Sequence, residues 1–335
     1  MSGDRIVWAV AVCGGTVLAG EPLTIALLRR LAVLDVPVGR SSHSVPTPRG
    51  GGAPIAVGLV AAVLIAPGAG DAGPALAVVI GFFGLLGLLD DLRGLQGLSA
   101  VSRLMLQVAG ASVVAAVLVS PLALPVFALA IAAAAVALWL VGFVNAFNFM
   151  DGVNGISGAH ALIGGVAYAC LAGWRQDGFG VAAGLALAAG ACAFLPWNAL
   201  RARVFLGDVG SYAIGGVLAM LAVRLIMLGV SVDAVAGPVA LYLADVAWTL
   251  QRRIRHGERW LEGHRTHVYQ RWCDAGWSHA EVTVLTSGLT VLLCLLGVLG
   301  LHRGMALRAG ADLAGLAALA VYLCSPGLFR HLGEA

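Results

Sequence analysis

Eleven apolar runs, most of them near the length that crosses a bilayer, leave this chain few ways to fold. A spanning helix needs roughly 20 mainly apolar residues. Such runs cover about 6–28, 51–69, 74–89, 103–120, 123–144, 155–173, 179–195, 211–229, 234–251, 282–300 and 310–325, the third and last being short. Sixty per cent of residues are apolar and 11% charged, against about 45–50% and 25% in soluble domains. A water-soluble core of this composition would lack polar surface to cover it. The sequence therefore predicts an all-α, polytopic membrane protein with about 10–11 transmembrane helices, built as one integral-membrane domain over residues 1–335.

The first run has a short charged leader and an Ala-Gly pair before Glu21, the pattern of a signal peptide, but the later spans favour a retained first helix. Cys13, Cys170, Cys192, Cys273, Cys294 and Cys324 are scattered without a CxxC pair and read as small core residues. The net charge of +3 gives no basic footprint for nucleic acid. All 20 basic residues are arginine, so phosphate recognition must come from planar guanidinium groups or backbone N–H groups.

The loops between the runs alternate in side. One set holds 29–50, 90–102, 145–154, 196–210, 252–281 and the C-terminal tail; with Arg103 at the edge of the fourth run it contains 15 of the 20 arginines, with four on the other side and Arg224 inside a span. The positive-inside rule places this set in the cytoplasm and the N-terminus outside. Within 252–281, RRIRHGERWL sets arginines beside Trp260 as an interfacial short helix would.

Acid and imidazole groups gather in that same set. Asp90 and Asp91 end the run GFFGLLGLL. On a helix, adjacent side chains diverge by about 100°, so the pair addresses two partners; it reads either as a metal or general-base site or as a helix-end pair held by Arg93 and Arg103. NAFNFMDGVNG reads either as a tight turn or as a polar loop holding a sugar or nucleobase. In FLGDVGS, Asp208 is either a Mg²⁺ ligand or the N-cap of the following helix. GHRTH sets His264 and His267 three residues apart. No Glu or Cys completes a zinc set, so imidazoles and Arg265 facing a diphosphate fit better than a metal pair. Arg40, His43 and Arg49 surround the Pro/Ser/Gly-rich first loop, whose RGGG segment suits either a phosphate cradle or a topogenic charge cluster.

Taken in order, RSSHSVPTPRGGG, GLLDDLRGL, NAFNFMDGVNGISG, VFLGDVGS and GHRTHVYQRW resemble the polyprenyl-phosphate N-acetylhexosamine-1-phosphate transferases, glycosyltransferase family 4. The first and last stretches look most like the O-antigen-initiating branch. Three departures stand out: only His264 and His267 replace the three-histidine cluster of the peptidoglycan branch, Asn154 stands where several branches carry aspartate, and Arg93 replaces a lysine. The first of these argues against a muramyl-pentapeptide donor.

The resemblance implies a Mg²⁺-dependent enzyme, with Mn²⁺ as a substitute, in the bacterial inner membrane. It would pass an N-acetylhexosamine-1-phosphate from a UDP-sugar to undecaprenyl (polyprenyl) phosphate, release UMP and initiate a lipid-linked surface glycan such as lipopolysaccharide O-antigen. Asp208 and Asp151 would hold the metal, with Asp90, Asp91 and Asp208 as the catalytic acids. Asn148, Asp151, Asn154, His264, Arg265, His267 and Arg49 would bind substrate. The lipid, the nucleotide sugar, the bilayer and a second copy in a homodimer would be its partners. A secondary transporter is the competing class; its carboxylates belong near the midplane on broken helices. A noncatalytic scaffold for glycan assembly is a third reading, and the DGxxAR…GxxxD signature of the CDP-alcohol phosphotransferases is absent.

Overall fold

A computed structural model describes residues 2–37, 45–93, 97–258, 265–301 and 304–333. Each of the eleven apolar runs is a helix: α1 (Ser2–Arg30), α2 (Ala53–Ile65), α3 (Ala72–Arg93), α4 (Ala100–Val119), α5 (Val126–Phe149), α6 (Ile156–Trp174), α7 (Gly178–Asn198), α8 (Gly207–Met227), α9 (Val232–Arg255), α11 (His279–Leu299) and α12 (Met305–Gly333). Among the described residues, nine of these are long and apolar enough to cross a membrane. The exceptions are physically distinct. α2, with 13 residues, spans only about 20 Å at 1.5 Å per residue. α9 is long enough but carries Asp233, Asp245 and three arginines in its last turn.

The short helix anticipated in loop 252–281 is α10 (Val268–Asp274), further along than the arginine-rich segment. Arg252, Arg253 and Arg255 instead close α9, where cations complement the helix carbonyl end. Trp260 and His264 lie outside the described residues. Starts are marked by local chemistry. Ser99 Oγ accepts the Ser102 N–H to cap α4, and Ser278 with Glu281 forms a capping box on α11.

α8 is the axis of the bundle: 83% of its apolar window is buried, against 22% in α1 and 17% in α12. α3 and α5 pack on it, while α6 pairs with α7, α1 with α7 and α2, and α9 with α11. The α3–α8 crossing needs Gly87, because a Cβ there would overlap the Asp208 carbonyl. That contact sets the last turn of α3 against the first turn of α8. Small β elements finish the same end. β1 (Leu34–Asp35) pairs antiparallel with β2 (Thr47–Pro48), and Arg49 then forms a parallel bridge with Phe205.

Candidate active site

The bridge between Arg49 and Phe205 joins two loops that are far apart in sequence. The N–H groups of Gly50 and Gly51 donate to the Phe205 carbonyl at 3.2 and 2.9 Å, that of Gly52 to the Leu206 carbonyl at 2.8 Å, and that of Phe205 to the Pro48 carbonyl at 2.8 Å. This corrects one expectation. The three glycine amides donate to the neighbouring loop and the Arg49 N–H to the Val33 carbonyl at 3.2 Å, so the backbone of RGGG forms a loop-to-loop seam rather than a phosphate cradle. What the seam does is aim the Arg49 side chain at the carboxylates.

Arg49 Nε lies 2.7 Å from Asp91 Oδ1, and its NH2 lies 2.8 Å from Asp208 Oδ1. Arg103 NH1 reaches Asp90 Oδ2 at 2.7 Å and Asp208 Oδ2 at 3.8 Å. Two guanidiniums thus bridge three aspartates from α3 and α8. Although burial opposes its charge, Asp208, Asp91 and Asp35 hold the Arg49 guanidinium above its ordinary pKa. Arg93, expected to share the helix-end pair, is exposed, and Arg103 carries that contact.

The adjacent aspartates do different things, as their divergence on a helix requires. Asp91 accepts the backbone N–H of Asp208 at Oδ1 and of Val209 at Oδ2, both at 3.0 Å. It caps α8 from a neighbouring helix, satisfying two of the amides that a helix start leaves unpaired. Gly207 makes this approach feasible: its φ is +74°, and a Cβ would lie 2.5 Å from Asp91 Oδ2. The N-cap role considered for Asp208 therefore belongs to Asp91, and the Asp208 carboxylate faces Arg49 and Asn148. Asp90 accepts the Leu98 N–H at 2.8 Å and contacts the Asp208 carboxyl.

α5 supplies Asn148, whose Nδ2 donates to Asp208 Oδ1 at 2.8 Å and Ser211 Oγ at 2.9 Å. Asp151 follows in the turn between α5 and α6, within electrostatic range of Asp208, Asp91 and Arg49; burial pushes its carboxyl up to about 7. Asn154 contributes backbone here: its carbonyl accepts Thr283 Oγ1 at 2.9 Å, and its N–H reaches His279 Nδ1 at 3.4 Å. Asn198 fastens this turn to the Asp208 loop, accepting the Gly155 N–H at 2.8 Å and donating to the Val204 carbonyl at 3.0 Å.

α10 docks on the end of α5. Tyr269 donates its hydroxyl to the Phe149 carbonyl at 2.9 Å, and the His267 ring stacks on Phe149 with centroids 6.1 Å apart. This sets His267 beside the Asn148 turn, but in a buried position with Nδ1 2.9 Å from Asp245 Oδ1. Arg265 pairs with Asp274 at 3.0 Å. His264, the third member of that group, lies outside the described residues.

Buried acids to which the sequence analysis assigns no role include Asp177, Asp245 and Glu21. Asp245 lay inside a predicted span, where an ionisable residue should itself have prompted a functional question. Glu21 was noted only as a mark near a cleavage-like pair. It is fully buried in α1, and among the described residues neither carboxyl oxygen has a hydrogen-bond partner.

Among the described residues no three His, Cys, Asp or Glu side chains form a metal-holding group. Mg²⁺ does not require one, since it typically takes one or two carboxylates, water and substrate phosphate oxygens. The donors present fit a hard cation. Asp90, Asp91, Asp151 and Asp208 outnumber Arg49 and Arg103, and all offer carboxylate oxygens.

Residues 74–226 match the family model described as glycosyl transferase family 4. The chain is similar to the phospho-N-acetylmuramoyl-pentapeptide-transferase of Clostridium beijerinckii, 32% identical over 162 residues, or 47% of each chain. It is also similar to that of Enterococcus faecalis, 42% identical over 88 residues, covering 26% of this chain and 27% of the relative. The chain thus spans about half or less of the length of these relatives. A longer match, 28% identical over 285 residues, covers 82% of this chain and 79% of the probable undecaprenyl-phosphate N-acetylglucosaminyl 1-phosphate transferase of Bacillus subtilis.

Proposed function

We propose that the chain is a member of glycosyl transferase family 4, whose model matches residues 74–226, and that it transfers an N-acetylhexosamine-1-phosphate from a UDP-sugar to a polyprenyl phosphate. An oxygen of the lipid phosphate attacks the β-phosphorus of the nucleotide sugar. The anhydride bond to the α-phosphate breaks, and UMP leaves with the electron pair. The observation that carries this reading is the bridging of Asp90, Asp91 and Asp208 by Arg49 and Arg103 at one end of the bundle. Phosphoryl transfer asks mainly for positioning and charge neutralisation, and a cluster of alternating sign at helix ends provides both.

Asp208 and Asp151 are the proposed holders of Mg²⁺ or Mn²⁺, which when bound would neutralise diphosphate charge. Asp208 is favoured because Asp91 takes over the capping of α8. Asp90 or Asp91 is proposed to receive any proton; the oxygens of both are engaged, those of Asp90 by the Leu98 N–H and Arg103 and those of Asp91 by the α8 amides and Arg49. A phosphate monoester is already largely ionised near pH 7, so this proton transfer contributes less than charge neutralisation. Arg49 and Arg103 switch from carboxylates to phosphate oxygens as substrate enters. Asn148, Asp151 and Asn154 contact the nucleotide sugar, and His264, Arg265 and His267 its diphosphate or sugar.

The whole chain, residues 1–335, acts as one membrane domain in a bacterial inner membrane, with this end in the cytoplasm and the N-terminus outside. Arginine distribution supports that orientation. An N-acetylhexosamine other than a muramyl-pentapeptide is the favoured donor, on the two-histidine stretch and on the length of the match to the Bacillus subtilis relative. The O-antigen branch is favoured by the first-loop and GHRTHVYQRW motifs. The transporter alternative is disfavoured because Asp90, Asp91 and Asp208 occupy helix ends rather than broken midspan segments. Purified protein given polyprenyl phosphate, Mg²⁺ and a panel of UDP-N-acetylhexosamines tests the reading. UMP formed only with lipid, metal and sugar together supports it, and folded protein that releases none from any donor contradicts it.

A further inference from the structure

Asp245 sits just past the middle of α9 and is fully buried. Burying a carboxylate is costly unless donors surround it, and here they come from three segments. Oδ1 receives His267 Nδ1 at 2.9 Å, Thr249 Oγ1 at 3.1 Å and the Val268 N–H at 3.2 Å. Oδ2 receives the Tyr322 hydroxyl at 2.6 Å and, more weakly, the Tyr269 N–H at 3.5 Å. One carboxylate therefore ties α9 to the start of α10 and to α12. A second tie runs alongside, from Trp272 Nε1 to Ser325 Oγ at 2.8 Å.

The geometry at His267 is more specific than a structural anchor needs. A carboxylate oxygen can only accept, so the hydrogen shared with it sits on Nδ1, which fixes the tautomer and leaves Nε2 as the second ring nitrogen. Phe149 and Tyr269 stack on the ring, with centroids 6.1 and 5.9 Å away, and fix its plane. Phe149 is the residue after Asn148, which holds Asp208. The imidazole is thus fixed in tautomer, in plane and relative to the carboxylate cluster.

We propose that Asp245 is a positioning residue for the reaction, acting through His267 and anchored by Tyr322 of α12. The inference rests on the transferase reading and on His267 contacting the nucleotide sugar. A carboxylate behind an imidazole is an outer-shell partner whose loss typically costs about 10–100-fold.

The test measures UMP release by the full-length protein in nanodiscs, with wild type, Asp245→Asn, His267→Gln, the double variant and Tyr322→Phe. Asp245→Asn is expected to lose about 10–100-fold in kcat and to add nothing to the loss of His267→Gln. Tyr322→Phe removes the anchor but keeps the carboxylate and imidazole; it should lose less kcat than Asp245→Asn, together with thermal stability. Wild-type kcat in Asp245→Asn, or losses that multiply in the double variant, would overturn the proposal. Inactive wild-type protein would instead strike at the transferase reading itself. Should Asp245→Asn fail to fold, the ¹⁵N spectrum of histidine-labelled wild type decides, with His267→Gln assigning the signal. A proton on Nδ1 supports the inference, and a neutral ring protonated only at Nε2 overturns it.

Discussion

At the scale of single residues, function concentrates in side chains with several opposing partners. Arg49 spans Asp91 and Asp208 through two different nitrogens, a geometry an ammonium point charge cannot copy. Arg49→Lys should therefore lower kcat by roughly 100-fold while leaving the protein folded, checked by UMP release beside a thermal melt. Glu21 calls for the opposite outcome. Its buried carboxyl has no hydrogen-bond partner among the described residues, and an unmet buried polar group costs about 1–3 kcal/mol. Glu21→Leu should raise the melting temperature in detergent; a fall would show that the carboxyl meets a need other than packing.

Asp151 adds a pH dependence whose sign follows from its position. Its folded pKa, about 7, lies above the roughly 3.9 of an unfolded aspartate. Its contribution to stability is full below the unfolded value and is lost as pH rises through the folded one. Without metal, Asp151→Asn should therefore gain stability over wild type at pH 8 and show a smaller gain at pH 5. Melts at both pH values in chelator check this, and an equal gain at both would contradict it.

At the scale of elements, helix ends do the assembling. The α3–α8 crossing depends on Gly87, and overpacking such a contact typically costs about 1–3 kcal/mol. Gly87→Ala should destabilise by that order and lose activity with it, read by melting temperature and UMP release; a fully active, equally stable variant would show that the crossing can open without harm. The elements themselves were legible in the sequence, since all eleven apolar runs became helices. The motif residues Asp90, Asp91, Asn148, Asp208 and Arg49 were legible too, and the fold gathers them. What local sequence could not reveal was the division of labour. Asp91 and Asp208 are 117 residues apart, and only the tertiary crossing shows that one caps the helix carrying the other. RGGG resembles a phosphate cradle in sequence because its partner loop, Phe205–Leu206, is equally remote. Asp245 stands out in sequence as an acid inside a span, but its role is not legible there because its partners come from α10 and α12.

At the scale of the whole molecule, one buried cluster runs from Ala9 in α1 to Tyr322 in α12. The polar site closes one end of it. A single-sided site predicts single-sided access. Leu200, 81% exposed in the loop before α8, and Phe127, 78% exposed at the start of α5, mark opposite ends of the bundle. In a cysteine-free background, a membrane-impermeant thiol reagent should label Leu200→Cys only from the cytoplasmic side and Phe127→Cys only from the other. Labelling of position 200 from both sides would favour alternating access and the transporter alternative.

The most direct test of the central claim compares UMP release by wild type and Asp208→Asn, each with polyprenyl phosphate, UDP-N-acetylhexosamine and Mg²⁺. Asparagine keeps the shape of the side chain, and Asp91 still caps α8, so the variant should fold and insert normally. The carboxylate–guanidinium cluster as catalyst predicts that wild type releases UMP only when lipid, sugar nucleotide and metal are all present, and that Asp208→Asn releases almost none. Wild-type turnover in a well-folded Asp208→Asn protein would contradict it.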